Sequence, residues 1–306
     1  MTSTSSAATR PVRPFRGHGF GWSNSLLILI GLAVLGWSFN GTSFSLTALF
    51  EANNAKSVTR FVGGLFPPNL SPDFLGTVAR LTLETIQISI VGTFLAIVLG
   101  FPLGVLALRR RGEEVSRPSL GTPLWLLGWS RYYVSRMVLN LLRAVPELVW
   151  ALVFVVAVGL GPLPGVLALA AHSTGVLGKL YAELFESVDQ RLVEAGRSTG
   201  ASELAVLLFI RVPSMLPTLL SYTLFRWECN MRAATLLGFV GAGGIGSQLV
   251  ISMKLFQYHE VLTLALAILC LVVLSDVVGQ VIRTRVLDGP GVDCEPAMVE
   301  VERARV

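Results

Sequence analysis

Long apolar blocks, separated by short polar and basic stretches, set the rhythm of the chain. They run from about Ser23 to Phe39, Val78 to Leu108, Tyr133 to Gly159, Gly165 to Leu184, Leu216 to Gly238 and Val261 to Ile282. A hydrocarbon core about 30 Å thick is crossed by about 20 helical residues at about 1.5 Å each. Each block therefore predicts a membrane-spanning helix, and six such spans put both termini on one side. Between the first two, residues 41–75 are polar but place Leu46, Leu49, Phe50, Val58, Phe61, Val62 and Leu65 at a spacing that predicts a helix along the membrane surface. Phe66-Pro67-Pro68 closes it. A linker with Gly112, Pro118, Gly121 and Pro123 joins spans two and three, and Gly161-Pro162-Leu163-Pro164 predicts a tight turn into span four.

Composition agrees with this pattern and excludes a water-soluble globule. Of 306 residues, 53% are hydrophobic and only 14% charged, with a mean hydropathy of +0.67; a soluble domain carries about 25% charged residues. The expected organisation is one all-α transmembrane domain, residues 23–286, between a disordered N-terminus (1–22, rich in Ser, Thr, Arg and Pro) and a polar tail (287–306). The first 22 residues have no small-residue cleavage site before the apolar run, so span one is expected to stay as an anchor. Cys229, Cys270 and Cys294 share no metal or redox spacing, and His18, His172 and His259 are equally scattered; no metal site is expected.

The arginines orient the chain. Arg10, Arg13 and Arg16 precede span one, Arg109, Arg110, Arg111 and Arg117 follow span two, Arg191, Arg197 and Arg211 lie between spans four and five, and Arg283 and Arg285 follow span six. The opposite loops carry mainly Lys56, Arg60 and Lys254. The positive-inside rule puts both termini in the cytoplasm.

Charges also occur inside the spans, where each costs about 2.5–3.5 kcal/mol on insertion scales. Arg143/Glu147, Lys179/Glu183 and Glu228/Arg232 are each four apart, so each pair is expected to share a helix face and partly neutralise itself. Arg226 has no such acid. Lys179 and Glu183 lie near a span end and read as structural. Arg143, about 20 Å along its helix at about 1.5 Å per residue, is too deep to snorkel inward. Arg143, Glu147, Arg226, Glu228 and Arg232 are therefore the candidate lining of a polar pathway, with structural ion pairing as the competing reading. The excess of arginine suits an oxyanion, because guanidinium groups pair with its oxygens.

The segment between spans four and five contains Glu194-Ala195-Gly196-Arg197-Ser198-Thr199-Gly200 and Ile210-Arg211-Val212-Pro213. It resembles the EAA motif of binding-protein-dependent ABC importers: Glu-Ala-Ala, three residues, Gly, nine residues, Ile-x-Leu-Pro. Gly196 and Val212 depart from it conservatively. The runs Leu142-Arg143-Ala144-Val145-Pro146-Glu147, Arg226-Trp227-Glu228-Cys229-Asn230-Met231-Arg232 and Leu237 to Gly246 are similar to permease subunits of phosphonate ABC importers, over roughly residues 65–286. The resemblance implies a five-helix type I permease core, and a coupling segment, 189–205, docked on a cytoplasmic ATPase dimer through Glu194, Ala195, Gly196, Gly200, Ile210 and Pro213. It also implies an extracytoplasmic substrate-binding protein and a second permease copy, most simply a homodimer in the cytoplasmic membrane lipid. The cargo would be phosphonate, phosphite or phosphate, with methionine or a betaine-like solute as the alternative. No nucleic acid is an expected partner.

Two other motifs fail. Gly241-Ala242-Gly243-Gly244-Ile245-Gly246 fits G-x-G-x-x-G, but no strand–helix unit surrounds it, and it reads as a flexible outer gate loop built on Gly241, Gly243, Gly244 and Gly246. Gly175-Val176-Leu177-Gly178-Lys179 lacks the first Gly and the Ser/Thr of a P-loop, so the chain is expected to hold no cofactor and to leave ATP to its partner. An ion-coupled transporter would need an inverted repeat, which the two halves do not show, and a membrane enzyme would need a His or acidic cluster at one depth. The topology is checked by single-cysteine labelling of intact cells on a cysteine-free background. Positions near Asn53 and Ser247 are expected to react from outside; reaction near Ser198 would contradict the assignment.

Overall fold

The computed structural model describes residues 22–42, 52–108 and 123–287. The expected disordered N-terminus and polar tail (save Trp22 and Leu287), Arg109-Arg110-Arg111, Leu46, Leu49, Phe50 and Cys294 lie outside these residues. The described chain is all-α, and it divides into two units, residues 1–60 and 61–306.

The first unit holds α1 (Trp22–Gly41), whose described side chains from Ser25 onward are all exposed. A helix that is apolar all round and exposed suits lipid. The helix α2 (Ala52–Leu65) realises the expected helical stretch after span one and ends in the second unit. There Phe61 meets Tyr258 edge-on at 5.2 Å, and Gly64 lies against the same ring.

The second unit contains α3 (Pro72–Leu106), α4 (Pro123–Ala144), α5 (Glu147–Val158), α6 (Pro162–Ser187), α7 (Gln190–Ser198), α8 (Glu203–Val206), α9 (Val212–Leu237), α10 (Gly244–Lys254) and α11 (Tyr258–Leu287). Pro72 at the first turn of α3, with Asp73 beside it, suits a helix start, because the ring lacks only an N–H that would have no partner there and the acid faces the positive helix end. A five-residue π-helix, Leu207–Arg211, joins α8 to α9.

The central element is α6. Lipid tails are as apolar as leucine, so close van der Waals packing through small residues must hold such helices together. Gly100 and Gly104 of α3 lie against Gly178 of α6, and Gly175 lies against the backbone of α4 at Leu139 and Arg143. Small and polar residues thus face protein, with Ser173, Thr174, Gly175 and Gly178 all buried. The P-loop-like run is accordingly an uninterrupted part of a helix. The same composition keeps α6 from standing out as an apolar span. Among the described residues three helical stretches are long and apolar enough to cross a membrane (Pro72–Leu106, Glu203–Val240 and Tyr258–Arg285), or four if the bent pair α4–α5 counts as one.

That bent pair corrects the expectation of a continuous third span. The chain turns by 91° between Ser130–Ala144 and Glu147–Val158. Pro146 causes the break, since it lacks an N–H and restricts the residue before it. Carbonyls freed at membrane depth cost several kcal/mol each unless protein satisfies them. Here the indole Nε1 of Trp150 donates to the Leu142 carbonyl at 3.1 Å, and His172 Nδ1 donates to the Val145 carbonyl at 2.9 Å.

A methyl group at Gly104 would sit 2.7 Å from the Gly178 carbonyl, a backbone atom that cannot step aside. Gly104→Ala is therefore expected to destabilise the bundle by about 1–3 kcal/mol, read as a lower thermal midpoint in detergent. Gly76→Ala, on the same helix with nothing within 4 Å of the new carbon, is expected to leave the midpoint unchanged or raise it.

Candidate functional site

The segment resembling the EAA motif folds into a helix–turn–helix. Asp189 caps α7 by accepting from the Arg191 N–H at 2.9 Å, and Ser202 caps α8 by accepting from Ala205 at 3.3 Å. Gly200, at φ +81°, makes the turn between them, a left-handed backbone that favours glycine. One face is buried by Val188, Val193 and Val206, with Ile210 and Met215 against them. Gly196 replaces the usual second alanine where a methyl group would meet Ile210 Cδ1, so this departure fits the motif's own isoleucine. Glu194 and Ala195 are exposed, as are the apolar side chains of Leu192, Leu204, Leu208 and Phe209. An exposed apolar surface around an acid on a short helix is suited to docking.

The five charged residues read as one pathway do not stay together. Residues two apart on a helix point about 200° from each other at 3.6 residues per turn, and α9 uses this to send its charges to different neighbours. Arg226 faces α6: its Nε donates to Ser173 Oγ at 3.0 Å, Ser173 donates to Asn230 Oδ1 at 2.8 Å, and Asn230 Nδ2 donates to Thr93 Oγ1 of α3 at 2.8 Å. Ser173 and Asn230 are fully buried and Thr93 nearly so. The chain of bonds fixes the guanidinium, and among the described residues no acceptor bonds its two terminal nitrogens.

Glu228 and Arg232 turn to α11 instead, and the expected pair between them does not form. Glu228 Oε1 lies 2.7 Å from Arg283 Nη1, while Arg232 Nη2 lies 3.5 Å from Asp276 Oδ1.

 With only 3% of its surface exposed, Glu228 is buried, and it fits against α11 because Gly279 has no side chain where the carboxylate passes. Arg143 and Glu147 do not pair either, since the break at Pro146 separates them. Arg143 Nε donates to Asn140 Oδ1 at 3.1 Å, and Glu147 Oε2 lies 3.5 Å from His172 Nε2. Only Lys179 and Glu183 meet as their spacing predicts, at 3.5 Å.

What converges is thus Glu147 at the start of α5, His172 and Ser173 side by side on α6, and Arg226 with Asn230 on α9. Glu147 is near enough to Arg226 to act on it electrostatically. Sequence reading singled out Glu147 and Arg226 and missed His172, Ser173, Asn230 and Thr93. Asn230 stands four residues, one helical turn, after Arg226, and that spacing was the available signal.

The glycine-rich run serves a third arrangement. Glu84 Oε1 accepts from the Gly244 N–H at 3.0 Å, and Thr85 Oγ1 from the Ile245 N–H at 2.9 Å. Two side chains of α3 therefore cap α10, and the acid favours its positive end. A methyl group on Gly243 would lie 2.6 Å from Glu84 Oε1, and one on Gly244 would lie 2.6 Å from Thr85 Oγ1. Gly246 likewise passes against the Thr235 carbonyl, and the Gly241 carbonyl accepts from the Gly161 N–H at 3.0 Å. The spacing of these glycines follows from close packing of the α9–α10 turn on α3 and the α5–α6 turn.

The chain belongs to the family described as binding-protein-dependent transport system inner membrane component, whose model matches residues 120–288. It is a multi-pass membrane permease subunit of an ABC importer, which works with an ATPase and a substrate-binding protein and is not itself an enzyme. Among its relatives, the phosphite transport system permease protein PtxC of Stutzerimonas stutzeri is 38% identical over 273 residues, 88% of this chain and 92% of the relative. The phosphate-import permease protein PhnE of Mycolicibacterium smegmatis is 34% identical over 242 residues, 79% of this chain and 42% of the relative. The inward-facing MetNI methionine ABC transporter has a chain of the same fold, with a TM-score of 0.58 at 22% identity, covering 71% of this chain and 99% of that one.

Breaking the buried pair is expected to harm the fold. Glu228→Gln should lower the thermal midpoint by the equivalent of about 1–3 kcal/mol, less than for a fully buried pair because Arg283 is partly exposed. Arg283→Gln should do similar damage. The double variant should lose less than the sum of the two, and additive losses in a thermal melt would show that the two side chains do not act as a pair.

Proposed function

We propose that this permease carries a phosphorus oxyanion (phosphonate, phosphite or phosphate) across the cytoplasmic membrane, with Arg226 as the cation that meets it. The observation that carries the reading is the fixed Arg226 guanidinium, whose terminal nitrogens have no protein acceptor among the described residues. Guanidinium and oxyanion geometries match, and a pre-set fork loses little freedom on pairing. The names of the relatives above point to the same chemistry. The methionine transporter shares the fold alone.

In this reading two copies of the chain enclose the path, both termini and segment 189–205 face the cytoplasm, and α1 and α6 complete six spans. An ATPase dimer holds the two 189–205 segments and supplies the energy, so no cofactor is needed in the permease. Glu147 beside Arg226 keeps the site from holding its cargo too tightly, since a transported ion must leave as well as enter. Arg143 lies next to the same break and extends the positive lining; Glu228 and Arg232 brace α11. Gly241, Gly243, Gly244 and Gly246 let the α10 turn close over the path at the far end.

The measurement is uptake of a labelled phosphorus oxyanion by the reconstituted complex with its binding protein, normalised to folded protein. Arg226→Gln is expected to cut uptake about ten-fold or more, as for loss of a charge-assisted hydrogen bond of about 1.5–3 kcal/mol, while assembly persists. Normal uptake by this variant would place the path elsewhere. Gly200→Leu and Glu194→Lys are expected to reduce ATPase co-purification or substrate-stimulated hydrolysis. If both variants assemble and transport normally, segment 189–205 is not the docking element.

A further inference from the structure

Arg211 occupies the unspecified position of the Ile-x-Leu-Pro run, yet among the described residues it is, with Glu228, a buried charged residue, only 5% exposed. Its Nη1 donates to the carbonyl of Phe185, in the last turn of α6. The last four carbonyls of a helix have no partner within it, so this bond both caps α6 and joins it to the π-helical start of α9. Residues 186–210, which include the whole docking segment, thus form a loop tied shut at its base by one side chain.

Charges of alternating sign extend that tie in both directions. Arg136 of α4 bonds Glu186 at 2.7 Å and also donates to the Ala107 carbonyl after α3, at 3.3 Å. Arg211 feels the field of Arg197, which opposes its charge, and of Glu203 and Glu186, which favour it. Glu203 in turn accepts from Arg197 Nε of α7 at 2.8 Å. The series Arg136, Glu186, Arg211, Glu203, Arg197 runs from the helix before the Pro146 break to the docking helix, with Arg211 at its centre. Its buried member anchors to α6, and α6 carries His172 and Ser173, which touch Glu147 and Arg226.

We infer that Arg211 is the positioning residue that makes the docking segment and α6 move as one body, so that ATPase motion reaches the Ser173–Arg226 site. Without it, α7 is joined to the bundle by covalent chain and the small Val193 cluster, and displacement of α7 is absorbed in the loop. The inference rests on the reading of 189–205 as the docking element, and the experiment separates the two. In the reconstituted complex, hydrolysis is measured with and without the liganded binding protein, alongside spin-label distances from α7 and from the far end of α6 to a fixed point on α11, with and without nucleotide. Arg211→Gln is expected to lower the stimulation ratio about five-fold or more, the usual span of a coupling free energy, with the ATPase still bound. The α7 distance should still change with nucleotide while the α6 distance no longer does. Arg211→Lys, which can still donate to the Phe185 carbonyl, should recover part of both readouts.

Should Arg211→Gln fail to fold, Glu203→Gln removes a partly exposed acid from the same series and is expected to lower the ratio in the same direction by a smaller factor. Wild-type stimulation with both distances still changing, in whichever of these variants folds, would overturn the inference. Failure of the ATPase to bind the wild-type segment would overturn the docking reading instead.

Discussion

The close approach of α3 and α6 is the constraint from which the rest of the bundle follows. Helices in lipid gain nothing by hiding apolar side chains from other apolar groups, so their backbones must come near enough for packing and short polar bonds. Gly100, Gly104 and Gly178 allow that approach, and Gly175 brings α4 onto the neighbouring side of α6. With α6 held between them, its small polar residues sit away from lipid. Ser173 can then bond Arg226 and Asn230, and His172 can reach the broken end of α4. A bulkier α6 would separate these helices and leave those groups without partners.

The second constraint is that a backbone group freed at a helix break or end needs a partner, and three such places among the described residues have one. The break at Pro146 is answered by His172 and Trp150, the start of α10 by Glu84 and Thr85, the end of α6 by Arg211. In each case the donor or acceptor comes from another turn or another helix. Local irregularity and tertiary contact are therefore one event: an opening in the backbone ladder becomes the place where two elements are joined. The same is true of charge. Glu228 is tolerated in the bundle because Arg283 comes from α11 to meet it and Gly279 leaves room for it.

These joints divide the molecule's work. One face of α9, with Arg226 and Asn230, turns to α3 and α6 and forms the polar centre; the other, with Glu228 and Arg232, turns to α11 and braces it. The helix–turn–helix α7–α8 stands at the end of α6, so the element that holds the polar centre also borders the surface proposed to meet the ATPase. Such a chain of packed helices and bonded side chains is the physical means by which two distant sites can share one change of state.

Much of this was legible in the chain alone. Apolar blocks set the all-α membrane fold and most helix boundaries, because hydrocarbon thickness leaves few alternatives. The EAA-like spacing marked out the stretch that folds as the helix–turn–helix α7–α8, since a motif confined to one short loop needs no distant partner to be recognised; Gly200 makes the turn its position implied. Pro146 was the available signal of a break, but the apolar run through it read as one continuous span, and span three is in fact bent by 91°. Spacing also suggested that charges four apart would pair, which holds for Lys179 and Glu183 on one continuous helix. It fails for Arg143 and Glu147, separated by the bend, and for Glu228 and Arg232, each of which meets a residue of α11 instead. Only the tertiary structure could decide those pairings, as it decided the roles of Asn230, Ser173, Glu84 and Arg211. A polar side chain takes the partner that packing brings within about 3 Å, and the nearest residue in space is seldom the nearest in sequence.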